Sequence, residues 1–254
     1  MESEIGTLAW GEITKGRLKG RDRKRQLLDL LGVSRSRSEA THPAMRFDLD
    51  EIIVPDSTPA RRAAEECREA SSEALANHSL RSYFWGALLA LNEKRDYDAE
   101  TFFVAAMMHD IALTEKHEFC NGASHCFALE GADITLREAP GWGLDEARTR
   151  TAAEAIALHL NVNVSATRHG NEAYLLNAGT ALDLLGARRE RIHPDNRADV
   201  LERAPRGSLT RELTRDLSRQ AKERPDCRMA FLWRNGFGDR MAKSPFEKET
   251  TAAN

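Results

Sequence analysis

No stretch of this sequence approaches the roughly 20 consecutive apolar residues that a membrane-spanning helix needs. Its first ten residues, M-E-S-E-I-G-T-L-A-W, lack the basic region, apolar core and cleavage site of a secretory signal. Cysteine is scarce, and its four residues follow no regular spacing, which indicates reduced thiols rather than a disulfide framework. We therefore expect a cytoplasmic protein that has no membrane partner.

Neither sign of charge dominates the 254 residues, since 37 basic residues stand against 40 acidic ones for a net charge of −3. This balance predicts no polyanion partner for the whole molecule. Residues 15–25, K-G-R-L-K-G-R-D-R-K-R, depart from it with seven basic residues and one acid. Because the run lacks interleaved aromatics and any nucleic-acid-reading motif, we interpret it as a solvated or subunit-contacting arm. Nucleic acid is the disfavoured partner, and a homo-oligomer is compatible with such an arm.

Sustained strand-type alternation is absent too, and alanine, leucine, glutamate and arginine dominate at helical spacing. The pattern predicts an all-α protein with three parts: an N-terminal extension (1–55) with one short helix near 23–31, a helical domain (56–246) and a tail (247–254). Thr58 and Pro59 suit the start of the first domain helix. Helices are predicted at 59–75, 78–93, 99–113, 126–138, 145–160, 171–186, 195–203, 208–223 and 228–242.

A histidine and an aspartate stand side by side in the otherwise apolar run T-F-F-V-A-A-M-M-H-D-I-A-L at 101–113. The predicted helix, capped by Asp98, directs His109 and Asp110 inward from its last turns. A buried charge is costly unless a group of opposite sign meets it. Neutral imidazole and carboxylate are both good metal ligands, so a divalent cation would make this pair tolerable.

Two ligands do not hold a metal, so further ligands should lie on other helices. His78 opens an apolar helix in N-H-S-L-R-S-Y-F-W-G, and Asp183 sits among leucines in G-T-A-L-D-L-L-G. Taken singly, His78 is explained as a capping or core histidine and Asp183 as a solvent-facing residue. Their order around the doublet adds weight to the metal interpretation.

That order, histidine, His-Asp doublet, distant aspartate, resembles the HD-domain superfamily of metal-dependent phosphohydrolases and their relatives. The surrounding segments look like the cyanamide hydratase type of HD protein. They are H-S-L-R-S-Y-F-W-G, F-V-A-A-M-M-H-D-I-A, F-A-L-E-G-A, E-A-I-A-L-H, G-T-A-L-D-L-L-G and the tail F-G-D-R-M-A-K-S-P-F. The resemblance covers residues 60–246.

The resemblance implies an HD-domain-like helical bundle in which four residues ligate a divalent metal: His78, His109, Asp110 and Asp183. Zinc is the first choice of metal, with Fe²⁺ and Mn²⁺ as alternatives. A zinc site with an open position holds a water whose pKa is about 7 instead of about 15.7. The expected function is a metal-dependent hydratase or hydrolase acting on a small-molecule substrate, cyanamide hydratase-like, through metal-activated water.

Four further residues are candidates for catalysis. His159 shares a helical face with Ala152 and Ile156 and is the first candidate for proton delivery, although a helix C-terminus also favours histidine. Thr180 precedes Asp183 by one turn and could hydrogen-bond the substrate, or be a plain helix-interior threonine. Glu130 resembles a family position, with an exposed ion pair as its alternative. Lys116 could line the mouth of the site, or be solvated.

The second candidate function is an HD-type phosphohydrolase acting on a nucleotide or phosphoester. Such an enzyme needs a basic pocket, for which Arg81 and Lys116 are the candidates. Many superfamily members follow the doublet with Ile-Gly-Lys, whereas this chain reads H-D-I-A-L-T-E-K-H. The usual lysine is therefore missing from its place.

Three weaker alternatives remain. His125 and His159 could extend the site to a di-iron, oxygen-using centre. His117, Cys120, His125 and Cys126 could bind a structural zinc, although the adjacent His125 and Cys126 fit its usual spacing poorly. The chain could also be a non-catalytic HD scaffold, which would have no need for buried ionisable groups.

Overall fold

The computed structural model describes residues 3–35, 43–117 and 126–247, and for residues 32–35 it describes the backbone alone. Within these ranges the chain forms α-helices and short 3₁₀ turns and no strand, which confirms the all-α prediction. The helices are α1 (Leu8–Thr14), α2 (Gly20–Arg35), α3 (Thr58–Ala70), α4 (Glu73–Glu93), α5 (Ala99–Met108), α6 (Phe127–Glu138), α7 (Glu146–Leu158), α8 (Ala166–His169), α9 (Asn171–Leu185), α10 (Pro194–Arg203), α11 (Leu209–Glu223), α12 (Arg228–Arg234) and α13 (Phe237–Ala242). None of the described helices is long and apolar enough to cross a membrane.

Helix α4 forms the centre of the bundle together with α9. It is buried on all sides from Tyr83 to Ala90, as expected for a helix that is apolar all round. Helices α5 and α7 flank this pair, α3 packs beside α5, and α6 packs on α7. The residues that the sequence analysis singled out on α4, α5, α7 and α9 therefore belong to four helices that pack as one group.

Close approach of α4 and α9 depends on glycine. A Cβ added to Gly179 of α9 would lie 2.3 Å from the Ser82 carbonyl oxygen of α4, and one added to Gly86 would lie 3.1 Å from the Leu175 carbonyl oxygen. Since backbone atoms cannot give way as a flexible side chain can, a larger residue at Gly179 must push the two helices apart.

We expect Gly179→Ala to lower the free energy of unfolding by about 2 kcal/mol. Overpacking costs about 1–3 kcal/mol, and the clash with a backbone oxygen puts Gly179 at the upper end of that range. The better helix propensity of alanine offsets about 1 kcal/mol. Gly141→Ala is the matched control, because a Cβ there meets no atom within 4 Å. Urea unfolding measures both variants, and equal midpoints would contradict the packing argument.

Several predicted helix boundaries are wrong. The break predicted between the helices 59–75 and 78–93 lies earlier: α3 and α4 meet at Ser71–Ser72, and the Ser72 hydroxyl accepts the Leu75 N–H at 3.2 Å. Ser57, not Thr58, caps α3. The predicted helix 228–242 is interrupted at Asn235–Gly236, because Gly236 adopts a left-handed φ of 81°. Asp98 caps α5 as predicted, at 2.7 Å from the Thr101 nitrogen.

The N-terminal part differs from the prediction of one short helix. It contains both α1 and α2, and α2 is longer at both ends than the predicted helix near 23–31. Helix α1 packs on α6 and α7 and buries Trp10, since its apolar side chains have partners in the domain. Helix α2 keeps Leu27, Leu28 and Leu31 exposed. The side chains of Ile5, Leu8, Trp10 and Leu18 are thus part of the core rather than of an arm.

Candidate metal centre

The His-Asp doublet lies at a break in the chain rather than in the last turns of a helix. Helix α5 ends at Met108, and a 3₁₀ turn at Ile111–Leu113 follows the doublet, so the predicted helix 99–113 is too long. His109 keeps helical backbone angles, whereas Asp110 has φ −107° and ψ 8°. The latter lies close to the sparsely populated bridge region, where many active-site residues sit.

Three imidazole rings meet around the Asp110 carboxylate. His78 of α4 has its Nε2 3.3 Å from the Nε2 of His109. The Asp110 Oδ2 lies 3.2 Å from His109 Nε2 and 3.6 Å from His78 Nε2, and its Oδ1 lies 3.7 Å from His159 Nε2. All four side chains are buried. Among the described residues, ligand atoms of His78, His109 and Asp110 lie within 4.8 Å of one another, a grouping that could hold a metal ion.

The tautomer of each ring follows from the partner of its other nitrogen. The Nδ1 of His109 donates to the Ala106 carbonyl oxygen, and that of His159 donates to the Ile156 carbonyl oxygen, both at 2.7 Å. His78 Nδ1 donates to Asp183 Oδ2, also at 2.7 Å. Because these oxygens accept and do not donate here, each Nδ1 carries the proton. Each neutral ring therefore presents a lone pair on Nε2.

This arrangement fits a divalent cation. Metal-ligating histidines characteristically donate their other N–H to a carboxylate or backbone carbonyl, which holds for all three rings. Two facing Nε2 lone pairs at 3.3 Å repel each other unless a proton or a cation lies between them. The donor set of imidazole nitrogen and carboxylate oxygen suits zinc, iron or manganese.

Burial and the Asp110 carboxylate act in opposite directions on the pKa values of the three histidines. Burial lowers the pKa of His78 and lowers that of His159 to about 3. Burial also opposes the charged form of His109, but the Asp110 carboxylate outweighs it and raises the His109 pKa. At Asp110 burial acts to raise the pKa, yet His109, with smaller contributions from His78 and His159, lowers it overall.

Asp183 is buried behind His78 and is not brought to the cluster. Its Oδ1 accepts from Arg81 Nε at 2.7 Å and from Trp85 Nε1 at 2.8 Å. Its Oδ2 accepts from His78 Nδ1 at 2.7 Å and from Arg81 Nη2 at 2.9 Å. These four bonds occupy the lone pairs of the carboxylate. In this geometry Asp183 orients His78 instead of contributing to the converging ligand atoms.

The other candidates are divided between the site and its surroundings. Thr180 lines the same cavity as the cluster, and its hydroxyl donates to the Asn177 carbonyl oxygen at 3.1 Å.

Glu130 is buried, not exposed, and both its oxygens lie 2.8 Å from Arg224 Nη2. Lys116 pairs with Glu66 at 2.8 Å. Neither Glu130 nor Lys116 lines the cavity. Cys120 and His125 lie outside the described residues.

Several residues support the site in roles that the sequence analysis did not predict. Arg81 and Trp85 follow His78 by three and seven positions, so all three face Asp183 from one side of α4. This i, i+3, i+7 spacing was a readable signal. Asn177 of α9 had no such signal: its amide donates to the His159 and Asn161 carbonyl oxygens at 2.9 and 2.8 Å.

The N-terminal segment supports the His159 side of the cluster. The Asn161 amide donates to the Ile5 carbonyl oxygen at 2.6 Å, and its oxygen accepts from Arg228 Nη1 at 2.9 Å. Arg228 is fully buried and lies 5.6 Å from the Trp10 ring centroid. Because Asn177 joins Asn161 to the His159 backbone, Ile5 is connected to the cluster through a chain of hydrogen bonds.

A cavity of about 1430 Å³ opens from the cluster. His78, His109, Asp110 and His159 contribute to its lining, so the three Nε2 lone pairs lie where a small molecule can enter. Arg81, which the phosphohydrolase hypothesis needs, is fully buried against Asp183 and is not part of that lining.

The chain is similar in sequence to the cyanamide hydratases DDI2 and DDI3 of Saccharomyces cerevisiae. Each is 30% identical to it over 163 residues, which is 61% of this chain and 69% of the yeast protein. No protein-family model matches the chain.

Proposed function

Because the chain belongs to the cyanamide hydratase family, we propose that it is a metal-dependent hydratase of a small molecule with a carbon–nitrogen triple bond. The observation that carries this proposal is the convergence of three Nε2 lone pairs on one buried carboxylate. We include in it membership of the HD-domain superfamily, whose motif order matches His78, His109–Asp110 and Asp183.

We propose His78, His109 and Asp110 as the metal ligands. Three protein ligands and one open position are typical of catalytic zinc sites, and zinc is the first choice here. Bound there, the cation supplies Lewis acidity and a water whose pKa is near 7 rather than about 15.7. Asp183 holds the His78 ring with its proton on Nδ1, and Ala106 does the same for His109 through its carbonyl oxygen.

Hydration adds the water oxygen to the triple-bonded carbon, and the water protons end on nitrogen. From cyanamide, H₂N–C≡N, the product is urea. We propose that His159 moves one of these protons, because its Nε2 presents a lone pair 3.7 Å from Asp110 and its Nδ1 is held by Ile156. Thr180 lies in the cavity wall, where its hydroxyl can orient the substrate.

Purified protein tests the proposal directly. Elemental analysis should find about one zinc, iron or manganese per chain, and chelation should stop the conversion of cyanamide to urea. A panel of nucleotides and phosphoesters run on the same sample should give no turnover. The assignment would be overturned if the purified protein contained no metal and could not be loaded with one. Turnover of phosphoesters alone would also overturn it. A second metal equivalent would point to the di-iron alternative.

We expect His159→Gln to retain the metal and to lose about 100-fold or more in kcat. Removing a positioned general acid or base typically costs 10²–10⁴-fold, and glutamine keeps a polar side chain of similar reach. His193→Gln is the control, because His193 lies outside the cavity at the start of α10. Metal content and kcat are measured on both variants. Loss of metal from His159→Gln would instead make His159 a ligand.

A further inference from the structure

The cavity is much larger than cyanamide requires. Pockets for drug-sized ligands occupy about 300–1,000 Å³, and the present one measures about 1430 Å³. A water molecule takes up about 30 Å³ of liquid, so a substrate of three heavy atoms would fill a small fraction of this space. The remaining lining therefore bears on which substrate the site accepts.

Much of that lining is apolar. Helices α9, α11, α12 and α13 contribute large aliphatic and aromatic side chains to it: Leu184, Leu213, Leu217, Met229, Leu232 and Phe237. Apolar walls with a few placed polar groups are typical of sites for organic ligands. A substrate with an apolar body would bury its surface here.

Several arginines also line the cavity. Arg191 pairs with Glu93, with its Nη1 3.1 Å from Oε1, and shares this carboxylate with Arg95. Arg240 reaches two backbone carbonyl oxygens, of Gly236 and Asn235, at 3.3 and 3.4 Å. The two acids that also line this part, Asp29 and Glu190, are exposed.

Arg188 has the most informative environment of these arginines. Its guanidinium carbon lies 5.9 Å from the Tyr174 ring centroid, and that ring also lines the cavity. No carboxylate in the described part of the chain forms an ion pair with Arg188, although the residue is half-buried. A guanidinium in this situation matches a carboxylate or another planar anion.

The backbone supports a specific role for Arg188. Its φ of 60° places a non-glycine residue in the left-handed region, which costs of order 1 kcal/mol and is typical of functional sites. Since the neighbouring Gly186 already ends α9, a second left-handed residue is not needed to stop the helix. The Arg188 side chain lies beside Tyr174 in the cavity lining.

We propose that the cavity binds a substrate with an apolar body and a terminal carboxylate, which Arg188 receives while the reacting group lies at the His-Asp cluster. The substrate class is thus a nitrile or cyanamide derivative bearing a carboxylate, not cyanamide alone. That the carboxylate-bearing molecule is a substrate rests on the proposed function, whereas the binding of its carboxylate by Arg188 does not.

Calorimetry with a matched pair of probes, 4-cyanobenzoate and the uncharged 4-cyanobenzamide, tests the proposal on the metal-loaded protein. We expect the carboxylate to bind at least about 10-fold more tightly than the amide, in keeping with one charged hydrogen-bonded pair. Arg188→Gln should remove this preference, and Arg188→Lys should restore part of it. Arg215→Gln, which changes net charge equally at a side chain 72% exposed outside the cavity, should keep it.

Equal affinity of the two probes for the wild-type protein would overturn the proposal, as would a preference that survives in Arg188→Gln. Cyanamide hydration by the wild-type protein is measured in parallel. If hydration fails while the carboxylate preference and its dependence on Arg188 hold, the proposed reaction is wrong and the binding site stands. If hydration succeeds without the preference, the reaction stands and the carboxylate site is wrong.

Discussion

Asp110→Asn is expected to yield a folded protein that holds almost no metal and has no measurable hydratase activity. Asp110 supplies the negative charge among the three proposed ligands, and its oxygens lie 3.2–3.7 Å from three imidazole nitrogens. The asparagine amide has the same size but no charge. The cation would therefore move from water into a buried site that has no negative ligand to offset its lost hydration.

Elemental analysis and the cyanamide assay measure this effect, and circular dichroism verifies the fold. Asp133→Asn is the control: Asp133 is a half-buried carboxylate of α6 that does not line the cavity. Its metal content and turnover should equal those of the wild-type protein. An Asp110→Asn protein with a full metal complement and normal kcat would show that the cluster does not hold the cation.

Replacing Arg81 by methionine is expected to destabilise the protein by about 3–5 kcal/mol, the usual cost of leaving one partner of a buried ion pair without the other. Arg81 and Asp183 are both completely buried and share two hydrogen bonds, at 2.7 and 2.9 Å. Arg206 Nη1, 3.4 Å from Asp183 Oδ2, supplies only a longer contact.

The double variant Arg81→Met/Asp183→Leu separates stability from catalysis. Because it leaves neither charge of the pair without the other, we expect it to regain part of the lost stability. The regain is partial because the buried N–H groups of Trp85 and His78 lose their acceptor. The metal affinity of the double variant should still be about 10–100-fold lower than that of the wild-type protein, since His78 has lost the carboxylate that holds its ring. Urea unfolding and metal titration measure the two effects. A double variant as unstable as the single one would contradict the ion-pair argument.

Acid titration gives an independent check on the same pair. Burial acts to raise the pKa of Asp183, but Arg81 and His78 outweigh it and hold the pKa well below its usual range. A carboxylate with a lowered folded-state pKa contributes stability above its unfolded pKa of about 3.9 and loses that contribution as the pH falls below it. The wild-type protein should therefore lose stability in that acid range by a larger amount than the double variant.

Sequence patterns predicted most of the bundle, and they failed where a competing local interaction moved a helix end. The cap at Asp98 was readable, because a short acceptor precedes an apolar run. The start of α4 was misplaced, since Ser72 and Asn77 are both plausible signals and only one side chain caps. The end of α5 at Met108 has no sequence marker, as the apolar run continues to Leu113.

By itself, the sequence determined that the chain is helical and that His78, His109, Asp110, His159 and Asp183 stand in apolar stretches of the chain. Helical periodicity specifies which residues share a face of one helix, and burial of an ionisable group requires a partner. Only the tertiary structure decided which partners meet. It directs Asp183 to Arg81 and Trp85 and brings His159 to Asp110, because the distance and rotation between packed helices depend on residues such as Gly179 throughout the core. It also sets the imidazole tautomers through carbonyl groups, which no side-chain pattern encodes.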